Sequence, residues 1–111
     1  AITDSIAATG MKNGKYKFAN VKIEKKNNKV YLNNSNTLAG SVINMYDTFL
    51  NLIKMNISIE DVVKMTSYSA SKYLNQDDVG SINIGKKANF LILDKEFNLI
   101  NIYLNGKLIN G

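Results

Sequence analysis

Apolar and polar residues alternate in Tyr16-Lys17-Phe18 and again in Val21-Lys22-Ile23. A period of two puts successive side chains on opposite faces of a strand. Lys25 to Asn28 is polar, and Val30-Tyr31-Leu32 is extended once more. Together these segments predict a β-hairpin with Lys25-Lys26-Asn27-Asn28 at its tip. Ahead of it, Ala1 to Thr3 reads as the end of a buried strand. Ser5 to Gly14 reads as a loop of small residues closed by the turn pair Asn13-Gly14.

The period then changes. Val42, Tyr46, Phe49, Leu50 and Ile53 fall on one face at helical spacing, predicting a helix over 42–55. Ser41 is its expected N-cap and Asn56 its stop. Ser58-Ile59-Glu60-Asp61 has the form of a capping box, with acids well placed on the helix dipole. The helix it opens runs to about Leu74, with Val62, Val63, Thr66, Ala70 and Tyr73 inward. Gly80 to Lys87 is a loop between two glycines. Asn89 to Asp94 is a dense apolar run of strand length, and Leu99 to Leu104 is a second strand. Asn105-Gly106 is a strong hairpin signal, with Lys107-Leu108-Ile109 returning.

This order predicts an α/β chain: a strand, a hairpin, two helices and a small antiparallel sheet. A lone first strand lacks a partner, and a terminal hairpin needs a third strand or a packing surface. With no initiator methionine, the expectation is the C-terminal piece of a longer protein.

Composition narrows the function classes. At 111 residues and 45% apolar, the chain has the material for a core. No apolar run approaches the length that spans a bilayer, so no membrane association is expected. Cysteine is absent, which removes disulfides and thiolate metal sites and fits a cytoplasmic origin. The net charge is +5, yet the basic residues are scattered lysines and arginine is absent. That pattern argues against a nucleic-acid partner, whose guanines and phosphates favour the arginine fork.

Histidine is also absent, so a nucleophile–histidine pair is excluded. No glycine pattern matches a dinucleotide or phosphate-binding loop. Glu60-Asp61 is accounted for by helix capping and Asp77-Asp78 by a loop. Asp4 remains, at the end of the first apolar run. On the residues alone it is either a catalytic carboxylate or a loop acid capping nearby backbone N–H groups.

Three stretches carry a resemblance. Thr3-Asp4-Ser5-Ile6-Ala7-Ala8-Thr9-Gly10 resembles a "TDA-x-A-x-x-G" segment at the end of a barrel's last strand. Thr37-Leu38-Ala39-Gly40-Ser41 is similar to "G-T-L-A-G-S", with Asn36 in place of the first glycine. Gly80-Ser81-Ile82-Asn83-Ile84-Gly85-Lys86-Lys87-Ala88-Asn89-Phe90 resembles the "G-x-I-x-x-G-K-x-A-D-L" run of many amidohydrolases, with Asn89 in place of the usual acid, a change expected to be tolerated. In order and spacing the chain resembles the N-acetylglucosamine-6-phosphate deacetylases of the amidohydrolase superfamily.

The resemblance implies residues 1–76 as the end of a (β/α)₈ barrel and 77–111 as strands of a small β-sandwich. Asp4 would be the general base and acid at the C-terminal end of the final strand. Leu38, Ala39 and Gly40 would contact the sugar. The cofactor would be a divalent metal, zinc or iron, with its ligands outside this chain, Asp4 alone excepted. The partner would be a small amino-sugar phosphate, whose phosphate is held upstream, and the whole enzyme a homodimer. The 111 residues alone would be inactive. In the family an N-terminal segment completes the sandwich, so its absence would leave an apolar face and sheet edges open to association. Two other readings stand beside this one: a different amidohydrolase such as a deaminase, or a non-catalytic binding or assembly module.

Overall fold

The computed structural model describes residues 1–109. The chain divides into two compact units, Ala1–Asn51 and Leu52–Gly111.

In the first unit, β1 (Gly14–Phe18), β2 (Val21–Lys26) and β3 (Lys29–Leu32) form an antiparallel meander. The alternation read from the sequence sets the register. Tyr16 pairs with Ile23, and Ile23 with Leu32. The turn at the expected tip is Asn27-Asn28, with Asn27 at a φ of 54°. Asparagine tolerates this left-handed region better than most residues. Ala8, Ile23 and Val30 are fully buried and form the core, with Ile6, Tyr16, Ala39 and Val42 packed against it. The outer edge of β3 is taken up by the next segment. Leu32 N–H donates to Thr37 O at 2.9 Å and Ala39 N–H donates to Val30 O at 3.0 Å.

The expected strand at Ala1 to Thr3 is not a ladder. Ile2 is 83% exposed, and the segment enters the sheet through one parallel bridge, Ser5 to Ser41. A buried strand needs neighbours on both sides; among the described residues only the stretch from Gly40 to Ile43 lies along it.

The first helix, α1, spans Met45–Lys54, three residues later than its expected start. Ser41 does not cap it. Asn44 and Asp47 do so reciprocally: Asp47 N–H donates to Asn44 Oδ1 and Asn44 N–H to Asp47 Oδ2, both at 2.9 Å. This is a capping box with asparagine and aspartate in the two roles. Asn56 ends the helix as expected, in the left-handed region at φ 60°.

In the second unit, Ser58 caps α2 (Ile59–Val63) by accepting from Asp61 N–H at 3.2 Å. The helical rod is interrupted by a π segment, Lys64–Tyr68, before α3 (Ser69–Tyr73). Ser69 N–H reaches back five residues to Lys64 O. The extra residue turns the following helix by about 100° relative to an uninterrupted one. Val62 is buried and Thr66 half-buried, but the next inward position is Ser71, five residues on. The expected inward Ala70 and Tyr73 are exposed, Tyr73 by 87%, and so is Val63.

β4 (Phe90–Leu93), β5 (Leu99–Leu104) and β6 (Lys107–Ile109) form the expected small antiparallel sheet. Asn105 and Gly106 both take positive φ, 50° and 76°, as a type I′ turn requires. Phe90 and Tyr103 pair across β4 and β5 with stacked rings 4.8 Å apart. Asn89 Oδ1 accepts from Asn105 N–H at 2.7 Å. That acceptor role is open to aspartate and asparagine alike, which explains why asparagine can replace the acid here. Leu91, Ile100, Leu104 and Leu108 all remain about half exposed.

Gly80 sits at φ 85° against the buried Ser71, whose Oγ and Cβ would lie 2.1 and 2.6 Å from an added Cβ. Gly80→Ala should therefore lower stability by about 2 kcal/mol, read as a reduced denaturant midpoint. Asp94 organises the β4–β5 loop. Its carboxylate accepts from Asn98 Nδ2 and from the N–H groups of Asn98 and Glu96 at 2.8–2.9 Å. The Asn98 side chain, then its N–H, hold the Asp94 carboxyl below its ordinary value. A lowered folded value stabilises above the ordinary carboxylate pKa of about 3.9 and loses that contribution as pH falls through the folded value. The melting temperature should drop in this acid range, and Asp94→Asn should make the drop shallower.

Candidate functional site

Residues Thr3–Ile6 and Gly40–Ile43 meet because the meander carries the chain back across the core. β3 is paired on its outer edge by Thr37 and Ala39, which fixes where Gly40 and Ser41 emerge. Asp4 O accepts from Ser41 N–H at 2.9 Å, and Ile6 N–H donates to Ser41 O at 3.1 Å. Ser41 Oγ donates to Thr3 O at 2.5 Å, and Ser5 Oγ donates to Ile43 O. Four residues from each segment are thus locked together.

Asp4 itself is exposed and takes a φ of 52°. That left-handed conformation is uncommon for a residue with a side chain and is accessible to aspartate at a modest cost. Gly40 lies directly against it. A Cβ built on Gly40 would be 2.9 Å from Ile6 Cγ2, 3.3 Å from Asp4 O and 3.8 Å from Asp4 Oδ2. With φ at 117°, Gly40 is a position where both the backbone conformation and the close approach require glycine. So the structure brings the first candidate, Asp4, to the last of the three candidate sugar contacts.

Ala39 and Leu38 divide by the alternation of an extended segment. Ala39 turns to the core cluster. Leu38 is 60% exposed and bridges to Tyr31 through the backbone. Leu38 and Gly40 therefore flank an inward alanine, one an open apolar side chain and the other bare backbone beside a carboxylate. An open apolar contact, a bare peptide and an acid suit a ligand with a ring face and a reacting polar group.

Sequence reasoning missed Ser41 as a site residue and assigned it to the helix. The signal was present: Asn44-x-x-Asp47 offers a better cap three residues later, which frees the serine hydroxyl. Ser5 was likewise read only as loop. Among the described residues no group of three or more histidine, cysteine, aspartate or glutamate side chains converges. A hollow of about 540 Å³ lies at the β2–β3 turn and is lined by Lys26, Asn28, Lys29, Tyr31 and Asn36 among others. It contains neither Asp4 nor Gly40. It is an open depression beside a solvated hairpin tip, with Lys26 paired to Glu24 at 3.0 Å. The third motif works within the second unit. Lys86 Nζ donates to Ser81 Oγ at 2.7 Å, and Lys87 pairs with Asp78 at 2.7 Å, which holds the Asp78 carboxyl below its ordinary value. Those lysines brace a loop.

Comparison with known proteins bears on this arrangement. N-acetylglucosamine-6-phosphate deacetylase of Vibrio furnissii is 30% identical over 110 residues, 97% of this chain and 27% of that protein. The Bacillus subtilis enzyme of the same name is 31% identical over 109 residues, 96% of this chain and 27% of that protein. The chain thus spans little more than a quarter of the length of these relatives. Among solved structures, the deacetylase of Pasteurella multocida superposes with a TM-score of 0.87 at 28% identity, covering 99% of this chain and 29% of that one. The Thermotoga maritima deacetylase gives 0.84 at 30% identity, covering 96% and 30%. The profile of the amidohydrolase family matches residues 3–109, from just before Asp4 to the end of β6, and the chain belongs to that family.

Proposed function

We propose that the chain is the C-terminal part of an N-acetylglucosamine-6-phosphate deacetylase, with Asp4 as its general base and acid. The observation that carries this reading is the pairing of Ser41 with Thr3–Ile6, which sets Gly40 against Asp4. Residues 1–76 would close the (β/α)₈ barrel, with Asp4 at the C-terminal end of the last strand, where such barrels keep their chemistry. Residues 77–111 would supply strands of the small sandwich, and the family's N-terminal segment would cover the apolar side chains left open on this sheet. A cytoplasmic location and a homodimeric whole enzyme come with the same reading.

The donor set supports a metal-assisted enzyme only in part. The sequence has no histidine or cysteine, and Asp4 brings one hard oxygen donor. That suits a carboxylate beside a divalent ion whose other ligands come from elsewhere, and it would not hold the ion alone. Zinc or iron, when bound, would polarise the acetyl carbonyl and acidify a water. Asp4 would take the proton from that water as its oxygen attacks the carbonyl carbon. It would then give a proton to the amine nitrogen as the C–N bond breaks, releasing acetate and glucosamine 6-phosphate. A carboxylate that accepts and then donates needs a fixed position with respect to both atoms. Leu38 would lie along the sugar, and Gly40 would allow the backbone to approach it.

The test uses the full-length gene product that contains this chain. It should release acetate from N-acetylglucosamine 6-phosphate and no ammonia from adenine, and the 111 residues alone should release neither. Asp4→Asn should reduce kcat by about 10³-fold or more while the metal content stays the same. Near-normal turnover in that variant would remove Asp4 from the mechanism. Gly40→Ala should lower kcat/KM by about 10- to 100-fold, because the new methyl must displace Ile6 or the Asp4 peptide.

A further inference from the structure

Ser41 grips both peptide planes that flank Asp4. The plane before Asp4 contains Thr3 O, which accepts from Ser41 Oγ at 2.5 Å. The plane after it contains Asp4 O, which accepts from Ser41 N–H at 2.9 Å. Rotation of the first plane is the φ of Asp4, and rotation of the second is its ψ. One residue therefore fixes both soft dihedrals of Asp4 and with them the direction of its Cα–Cβ bond. The φ of 52° so held is one that an unrestrained aspartate visits only as a minority. Its persistence needs surroundings that over-determine it.

The hydroxyl is itself oriented. It accepts from Ile43 N–H at 3.3 Å while donating to Thr3 O. Any residue at position 41 could make the two backbone bonds to Asp4 and Ile6. Only a hydroxyl at Cβ adds the bond to Thr3. Ser41 is half-buried, so that bond competes little with water. The helix has no use for it, because Asn44 and Asp47 already cap α1.

We propose that Ser41 is a positioning residue that sets the orientation of the Asp4 carboxylate through the backbone on either side of it. This rests on the reading of Asp4 as the base and acid, and it adds a group that touches neither substrate nor metal. Losing the hydroxyl frees the Thr3–Asp4 plane. Asp4 then samples commoner φ values, and its carboxylate spends less time in line with the reacting atoms. Leu38 and Gly40 keep their places through the backbone bonds of Ala39 and Ser41, so substrate affinity is not altered.

The full-length protein tests this with Ser41→Ala, Ser41→Thr and, as a matched deletion, Ser71→Ala. Ser71 is buried, and its hydroxyl also donates to a backbone carbonyl, Tyr68 O at 2.8 Å. Ser41→Ala should lower kcat about 10- to 100-fold with KM within about twofold and metal content unchanged. Ser41→Thr keeps the hydroxyl and should recover most of that loss. Ser71→Ala should lower the melting temperature and leave kcat within about twofold. Equal kcat losses in Ser41→Ala and Ser71→Ala, or a loss in Ser41→Ala carried by KM or by metal content, would overturn the assignment. Amide hydrogen exchange at Ser41 and Ile6 decides it without reference to the reaction. Exchange there should quicken about tenfold in Ser41→Ala and stay unchanged in Ser71→Ala. If the wild-type protein fails to hydrolyse the sugar phosphate, the functional reading falls, while unchanged exchange in Ser41→Ala would sink the positioning role alone.

Discussion

The hydrogen bonds between Ser41 and the Thr3–Ile6 segment are the constraint on which the site depends. They tie Thr3–Ile6 to Gly40–Ile43 and hold the backbone on both sides of Asp4. With them, a glycine with no Cβ comes to rest against an acid in the left-handed region. Everything upstream of this contact in the physical sense serves it. The buried pair Ile23 and Val30 holds the meander flat, the outer edge of β3 takes Thr37 and Ala39, and that pairing delivers Gly40 and Ser41 to the right place. The packing of three core residues, Ala8, Ile23 and Val30, is thus converted into the position of one carboxylate.

The second unit shows a different use of sequence. Its glycine and lysine run is structural within that unit. Gly80 clears space for Ser71, Lys86 and Lys87 brace the loop, and Asn89 ties the strand entry to the Asn105 turn. A motif that marks a family therefore need not mark its active site. The exposed carboxylates with lowered values, Asp61, Asp78 and Asp94, have local causes: Ser58, Lys87 and Asn98 respectively. They report loop and cap construction.

Much of the fold was legible because its signals are local. The bounds of β5 and the Asn105-Gly106 turn follow from alternation and from two residues that accept positive φ. The Ser58 cap and the Asn56 stop follow from residue type. What escaped was set by partners far away in the chain or by a change of period. Ser41 looked like a helix cap because its real acceptor, Thr3 O, is 38 residues distant. On the second helix Val62 and Thr66 face inward as expected and Val63 does not, and after Thr66 the expected face fails because one π segment shifts the phase and no residue type announces it. For the candidate site, Asp4 and Leu38-Ala39-Gly40 are singled out by their resemblance to a family. Their mutual contact and the left-handed backbone of Asp4 were not, since both arise from tertiary pairing.

The meander between the two halves of the site also has a bearing on how the chain folds. Ser5 and Ser41 are 36 residues apart, and closing so long a loop from an unstructured chain is entropically costly. Two hairpins with two-residue turns form first from neighbours in sequence, each a microsecond-scale event. Once they stand, most of the intervening chain is already tied up, and the remaining closure spans only a few mobile residues. The corner where Gly40 meets Asp4 is then a late and inexpensive addition to a nucleus built from local contacts, so its residues are free of the demands of early folding.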